Sequence, residues 1–276
     1  LLAPEDVLHA FGMSVYGAMA PMVGHPNSPV IMEPIFAIDM HVRALSTASL
    51  GAMADIMRAT HLDEAIFASL CRESDMYHVL QRCAILVSRM ALTMPPPMFH
   101  DMVRATASWP DLCRRLISTS ATLSHARSRK LVALGLAHML RHASAQDKGL
   151  LSAVPDMIGM WTEVVGEVVE DEAGSADRYE RELSPTRALE IGEDGIPFLD
   201  EFGLIEAAPT PSSARTDAVR SRDPSFNVPL RAYVADTLNA VLQNGSYKTQ
   251  LQSLLATIDP LVLDTLQRGL SERPVA

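Results

Sequence analysis

His138 and His142, in the run HMLRH, stand four residues apart, so a helix would carry both imidazoles on one face, a spacing that metal centres use. No carboxylate or cysteine is placed to complete a ligand set, and the pair is read as surface or partly buried histidines. FHDMV brings His100 next to Asp101, the dipeptide at the centre of all-α metal phosphohydrolases. That chemistry needs a further histidine upstream and a further aspartate downstream, and His78 and Asp111 are loose candidates for them. The sequence has no G-x-S-x-G elbow, no phosphate-binding glycine loop and no paired aspartate motif. We therefore expect no enzyme, no bound metal and no cofactor.

Charge points to recognition instead. Arg114, Arg115, Arg127, Arg129, Lys130 and Arg141 form the one basic concentration, without interleaved aromatics on which bases could stack. The net charge of −10 would repel nucleic acid, so no direct nucleic-acid partner is expected. Between Glu163 and Glu206 stand 14 acidic residues against Arg178, Arg181 and Arg187, and the rest of the chain is close to neutral. Candidate partner-binding residues are the acids Glu170, Asp171, Glu172, Glu193, Asp194, Asp200 and Glu201. Their counterparts are Arg127, Arg129 and Lys130, which face either a partner or the chain's own acidic run. A mobile polyanion suits a basic protein partner, attracting it and competing with its attachment to RNA.

The elements that must position these residues are helical. Of the 276 residues 48% are hydrophobic, dominated by Leu, Ala and Met rather than strand formers, so the fold class expected is all-α. Apolar residues recur at helical spacing, as in Leu8, Phe11, Val15 and Met19, then Ile35, Ile38, Val42 and Leu45, then Leu62, Ile66 and Leu70. The pattern continues through Met76, Leu80, Cys83, Val87 and Met90, and later through Val154, Met157, Ile158, Trp161, Val165 and Val168. Pro4, Pro34 and Pro95 to Pro97 sit where new helices would begin. Helix, short turn and helix, taken in units of roughly forty residues, predict a HEAT-type solenoid, with an unrelated helical bundle as the alternative. The 15 methionines fall mostly on apolar stripes and are expected in the core.

Three cysteines, Cys71, Cys83 and Cys113, fit neither a disulfide framework nor a C-x-x-C pattern, and read as buried thiols of a cytosolic or nuclear protein. The longest apolar run, CAILVSRMALTM, is interrupted by Arg89, so neither a membrane span nor a signal peptide is expected. The first residue is Leu, and we read the chain as part of something longer. Three regions follow: helical repeats over 1–170, an acidic and Pro/Ser-rich insert over 171–222 without periodicity, and a C-terminal helical cap over 223–276. In the last region Leu230, Val234, Leu238, Val241 and Leu242 share a face, Asn244-Gly245 is a plausible left-handed stop, and Asp259 is placed to cap a helix opened by Pro260.

Asp223-Pro224, Val228, Leu230 and Tyr233, then Leu238, Gly245, Tyr247, Leu251, Leu255, Thr257-Ile258-Asp259 and Leu266-Gln267 carry a resemblance. In order and spacing they resemble the C-terminal end of the importin-beta (karyopherin-beta) superfamily, in its importin eleven branch. SRKLVALGLAHML, Ser128 to Leu140, is similar to that branch's R-K-L-x-A-L-x-L helix. The resemblance covers Pro97 to Leu270 and departs at Pro229, where a small polar residue is expected. It implies a HEAT superhelix that carries protein cargo through the nuclear pore, shuttles between nucleus and cytoplasm and touches nucleoporins. It also implies that the GTPase Ran binds mainly to N-terminal repeats outside these residues. The runner-up is a HEAT scaffold of another intracellular assembly.

Overall fold

Capping residues set where the helices start. Ser46 and Ser108 precede helices and accept from the backbone N–H of Ser49 and Asp111, and Pro95-Pro96 and Asp259-Pro260 open two more. The computed structural model describes residues 4–25, 30–72, 76–147, 149–174, 223–244 and 247–271. Among these every regular element is helical. The order is α1 (Pro4–Gly24), α2 (Met32–Ala44), α3 (Thr47–Ala59), α4 (Leu62–Cys71), α5 (Tyr77–Thr93), α6 (Pro96–Thr106), α7 (Trp109–Ser120) and α8 (Ala126–Arg141). A 3-10 turn (Leu151–Ala153) leads into α9 (Val154–Gly174), and α10 (Pro224–Asn227), α11 (Leu230–Gln243), α12 (Lys248–Leu255) and α13 (Pro260–Ser271) follow.

Helices three apart in chain order lie against one another: α1 on α4, α2 on α5, α4 on α7, α5 on α8 and α8 on α11. One row of the array is thus α2, α5, α8 and α11. Its middle members are buried on most sides, α5 through Leu86, Val87 and Met90 and α8 through Leu131, Leu134 and Leu140. They cross closely. A Cβ on Gly135 would lie 2.8 Å from the Cβ of Ser88, so only glycine fits at that crossing. Trp161 of α9 closes over α8 and donates its indole N–H to the Ala133 carbonyl at 3.1 Å. Eight methionines, among them Met53, Met57, Met102 and Met157, are buried in the continuous core.

α1 departs from the expected stripe. Leu8, Tyr16, Ala20 and Val23 are buried, whereas Phe11 and Val15 are 50% and 38% exposed. The helix is apolar nearly all round, so periodicity left two stripes to choose from. Gly12 lies on the buried stripe, and its lack of a Cβ lets that face come close to the Ile56 side chain of α3. Glu5–Gly24 is also long and apolar enough to cross a membrane by length and composition alone, a feature that the reading of the longest apolar run did not pick out. One face of that helix lies in the core against α3 and α4.

α11 presents the predicted face: Leu230, Val234 and Val241 are buried, and Leu238 and Leu242 pack against the core. It ends at Gln243 with Asn244 in an extended conformation, and Gly245 lies outside the described residues. Pro229 is accommodated as the residue before the first turn. The Asp259 carboxylate accepts from the Leu261 N–H at 2.8 Å, capping α13 as expected. Periodicity was expected to stop at Asp171, yet α9 runs on to Gly174. From 175 to 222 the expected insert lies outside the described residues.

Candidate protein-recognition surface

The first turn of α8 collects Arg127, Arg129 and Lys130, with His125 just before it. Cations are poorly placed at a helix N-terminus, where unpaired N–H groups already present positive potential, so this turn calls for acidic partners. The neighbouring α9 supplies them. Arg129 meets Glu163 at 3.2 Å and also pairs with Glu167, two acids one turn apart on the same face. These acids open the acidic stretch. Arg127 and Lys130 stand half-buried beside Arg129, each with further interactions of its own. Glu170, Asp171 and Glu172 continue the α9 backbone, while Glu193, Asp194, Asp200 and Glu201 lie outside the described residues. The described structure thus brings the basic turn together with the beginning of the acidic run.

The remaining basic residues are dispersed. Arg114 pairs with Asp111 on its own exposed helix face at 2.7 Å, and Arg141 lies over the Tyr233 ring of α11 at 5.5 Å. His138 and His142 do share a face, with ring centroids 4.4 Å apart. His138 Nδ1 is 2.5 Å from the Tyr233 hydroxyl, with the two rings stacked, which ties α8 to α11. Burial, then His142, His100 and Arg141, push the pKa of His138 down to about 4. No group of three or more metal-ligating side chains stands together among the described residues.

The His100-Asp101 dipeptide is split by the helix. His100 points inward to Asp147 at 2.9 Å, while Asp101 points outward and pairs with Arg104. Asp147 also accepts from the Trp109 indole at 3.1 Å, from Arg104 at 3.0 Å and from the Ser144 N–H at 2.7 Å. Burial raises its pKa, but Ser144 and His100 outweigh that and hold the carboxyl below its usual range. The cluster fixes the loop between α8 and α9. His78 is exposed at the start of α5, and Asp111 is engaged with Ser108 and Arg114, so neither joins His100. Cys83 and Cys113 are buried thiols with pKa values pushed up to about 12 by burial, and Cys71 is half-buried.

Sequence reasoning missed a second polar centre. Arg89 of α5 meets Asp39 of α2 through Nε at 2.7 Å and Asp223 through Nη1 at 2.5 Å. Arg43 of α2 meets the same two carboxylates, at 3.0 Å and 3.7 Å. The signal was present in Arg89, a single cation inside the longest apolar run. Burial raises the pKa of Asp39 and of Asp223, and the two guanidinium groups outweigh it, holding both carboxyls below the usual range.

Comparison with curated proteins returned no match, and neither did comparison with solved structures. The family model described as "Importin-11-like, TPR repeats" matches residues 1–271, which reaches upstream of the resemblance noted at Pro97. The packed helices are those of a helical-repeat array, and the chain belongs to the importin-11-like TPR-repeat family.

Proposed function

We propose that this chain is the C-terminal cargo-binding part of a nuclear import receptor, recognising protein cargo by surface contact and not by catalysis. The match to importin-11-like repeats over 1–271 is the observation that carries the reading. The receptor shuttles between nucleus and cytoplasm, touches nucleoporins on its way, and takes basic cargo toward the acidic run that begins at Glu163. Exposed ion pairs contribute roughly 0.2–1 kcal/mol each, so five of them reach at most about 5, whereas micromolar binding needs about 8. The acidic run therefore steers association, and the folded repeats hold the complex.

The pairing of Arg129 with Glu163 and Glu167 favours a second reading, in which the acidic run occupies the chain's own basic turn and competes with cargo. One experiment separates the two. Asp171 to Glu206 is replaced by a neutral Gly/Ser linker of equal length, and association and dissociation rates of a basic cargo are measured at two salt concentrations. Steering requires association at low salt to fall severalfold and its salt dependence to shrink, with dissociation changed less. Faster binding without the segment supports self-occupation, and unchanged rates overturn both.

A further inference from the structure

Asp223 is the first described residue after position 174, and it does not sit beside α9, which the chain has just left. It reaches back along the α2–α5–α8 row to residues of the first hundred. Its two carboxylate oxygens divide the work. Oδ1 accepts from the Ser225 N–H at 3.0 Å and from the Ser225 hydroxyl at 2.8 Å, which caps α10 with Pro224 in its first turn. Oδ2 faces the Arg43 and Arg89 guanidinium groups. Asp39 completes a square of two cations and two anions, with a formal charge of zero, and Asp39, Arg89 and Asp223 are 6%, 3% and 4% exposed. From there α10 crosses α5 and α8, and α11 lies on α8 as the next member of the row.

We propose that Asp39, Arg43, Arg89 and Asp223 form a latch that docks residues 223–271 on the helical body independently of the chain joining them to α9. The apolar face of α11 supplies adhesion but little direction, because Leu, Val and Ala pack in several registers. The square supplies direction. A carboxylate at 223 is tolerated in this buried setting only where both arginines meet it, so any slipped docking leaves that carboxylate unpaired and one cation in excess beside Asp39. Being buried, the latch is screened little by salt, unlike the exposed pairs of α9. Residues 175–222 can then be lengthened, replaced or cut without releasing the helices that follow.

The test is a chain with a site-specific protease sequence inserted between Ser212 and Ser213, cleaved, and run on a sizing column at low and at 1 M salt. The expected result is one co-eluting complex of both pieces at either salt. Asp223→Asn should raise the dissociation constant of the two pieces about 100-fold or more, whereas Asp259→Asn, an exposed cap outside the square, should change it less than threefold. Hydrogen exchange of the α11 amides in the uncut chains supplies a second reading. It should speed up by a similar factor in Asp223→Asn and stay unchanged in Asp259→Asn. Should uncut Asp223→Asn fail to fold, Arg43→Gln, which removes the more distant of the two cations, replaces it with an expected weakening of about tenfold. Pieces of the wild-type chain that separate on cutting, or an affinity unmoved by loss of Asp223 or Arg43, overturn the proposal.

Discussion

The charge square at Asp39, Arg43, Arg89 and Asp223 and the imidazole cluster at the end of α8 both hold the C-terminal helices to the body, and they do so with opposite chemistry. The square matches full charges and excludes water from Asp39, Arg89 and Asp223, with Arg43 at its partly covered edge. The cluster consists of two ring sets, His100 and Trp109 around the buried Asp147 carboxylate, and His138 and His142 with Tyr233 of α11, each held by hydrogen bonds and ring contacts. Apolar stripes stack the helices in both regions. Polar groups appear where stacking alone leaves the path open: at the return of the chain at Asp223, and in the loop from Ala143 to Leu150. The difference between them lies in what a defect costs. A square with one corner missing keeps a bare buried charge, while a cluster with one member missing keeps unpaired neutral donors.

The largest expected effect is therefore at Arg89. Arg89→Met should destabilise the chain by about 3–5 kcal/mol, because Asp39 loses its closest cation and Asp223 keeps only Arg43 at 3.7 Å. Adding Asp39→Asn should recover part of the loss by restoring the charge balance, which chemical denaturation of the two variants would show. Asp147→Ala comes next at about 2–3 kcal/mol, since the Trp109 indole and the Ser144 N–H lose their acceptor. A larger loss at Asp147 than at Arg89 would reverse the comparison.

The two regions should also answer to different pH windows. His138 has a folded pKa near 4 against an ordinary value of 6.5, so between these values the unfolded chain binds more protons. Stability from this residue is complete above pH 6.5 and is lost as the pH falls toward 4. Asp39 and Asp223 are held below their ordinary range, so their contribution persists above about pH 4 and is lost only below it. Lowering the pH from 7 to 4.5 should cost about 1–2 kcal/mol through His138 after allowance for its partial exposure. His138→Gln should flatten this slope and leave the more acidic limb intact. An unchanged slope in that variant would place the titration elsewhere.

Much of the array was legible in the sequence. The stripes of α2, α4 and α5, the cap at Asp259 and the face of α11 follow from local spacing, because a helix buries what its own periodicity gathers. What stayed hidden is non-local. Nothing within a turn of Arg89 shows that its partners are 50 and 134 residues away. His100 faces Asp147 rather than the adjacent Asp101, because neighbours in a helix point apart by about 100°. On α1 two apolar stripes competed, and which of them is buried depends on where α3 and α4 lie, which local spacing does not show. The candidate recognition residues divided in the same way. Arg127, Arg129 and Lys130 were visible as a run, but the pairing of Arg129 with Glu163 and Glu167 required α8 and α9 to lie side by side.

That pairing gives the smallest expected effect and sets the scale for the other two. Arg129 is largely covered, but Glu163 and Glu167 keep 66% and 39% of their side-chain surface in water. Water solvates the carboxylates in either state, so Arg129→Ala strands no buried charge and should cost less than about 1 kcal/mol. Its signature should be salt. Wild-type stability should fall slightly between 0.05 and 0.5 M salt as the pairs are screened, whereas Arg129→Ala should show a smaller drop. Arg89→Met, by contrast, should keep nearly its whole deficit at both salts, since the groups it unbalances are out of reach of ions. If Arg129→Ala proves as damaging as Arg89→Met, or if high salt rescues neither difference, exposure has no bearing on what these charges contribute, and the basic turn of α8 belongs to the fold rather than to a recognition surface.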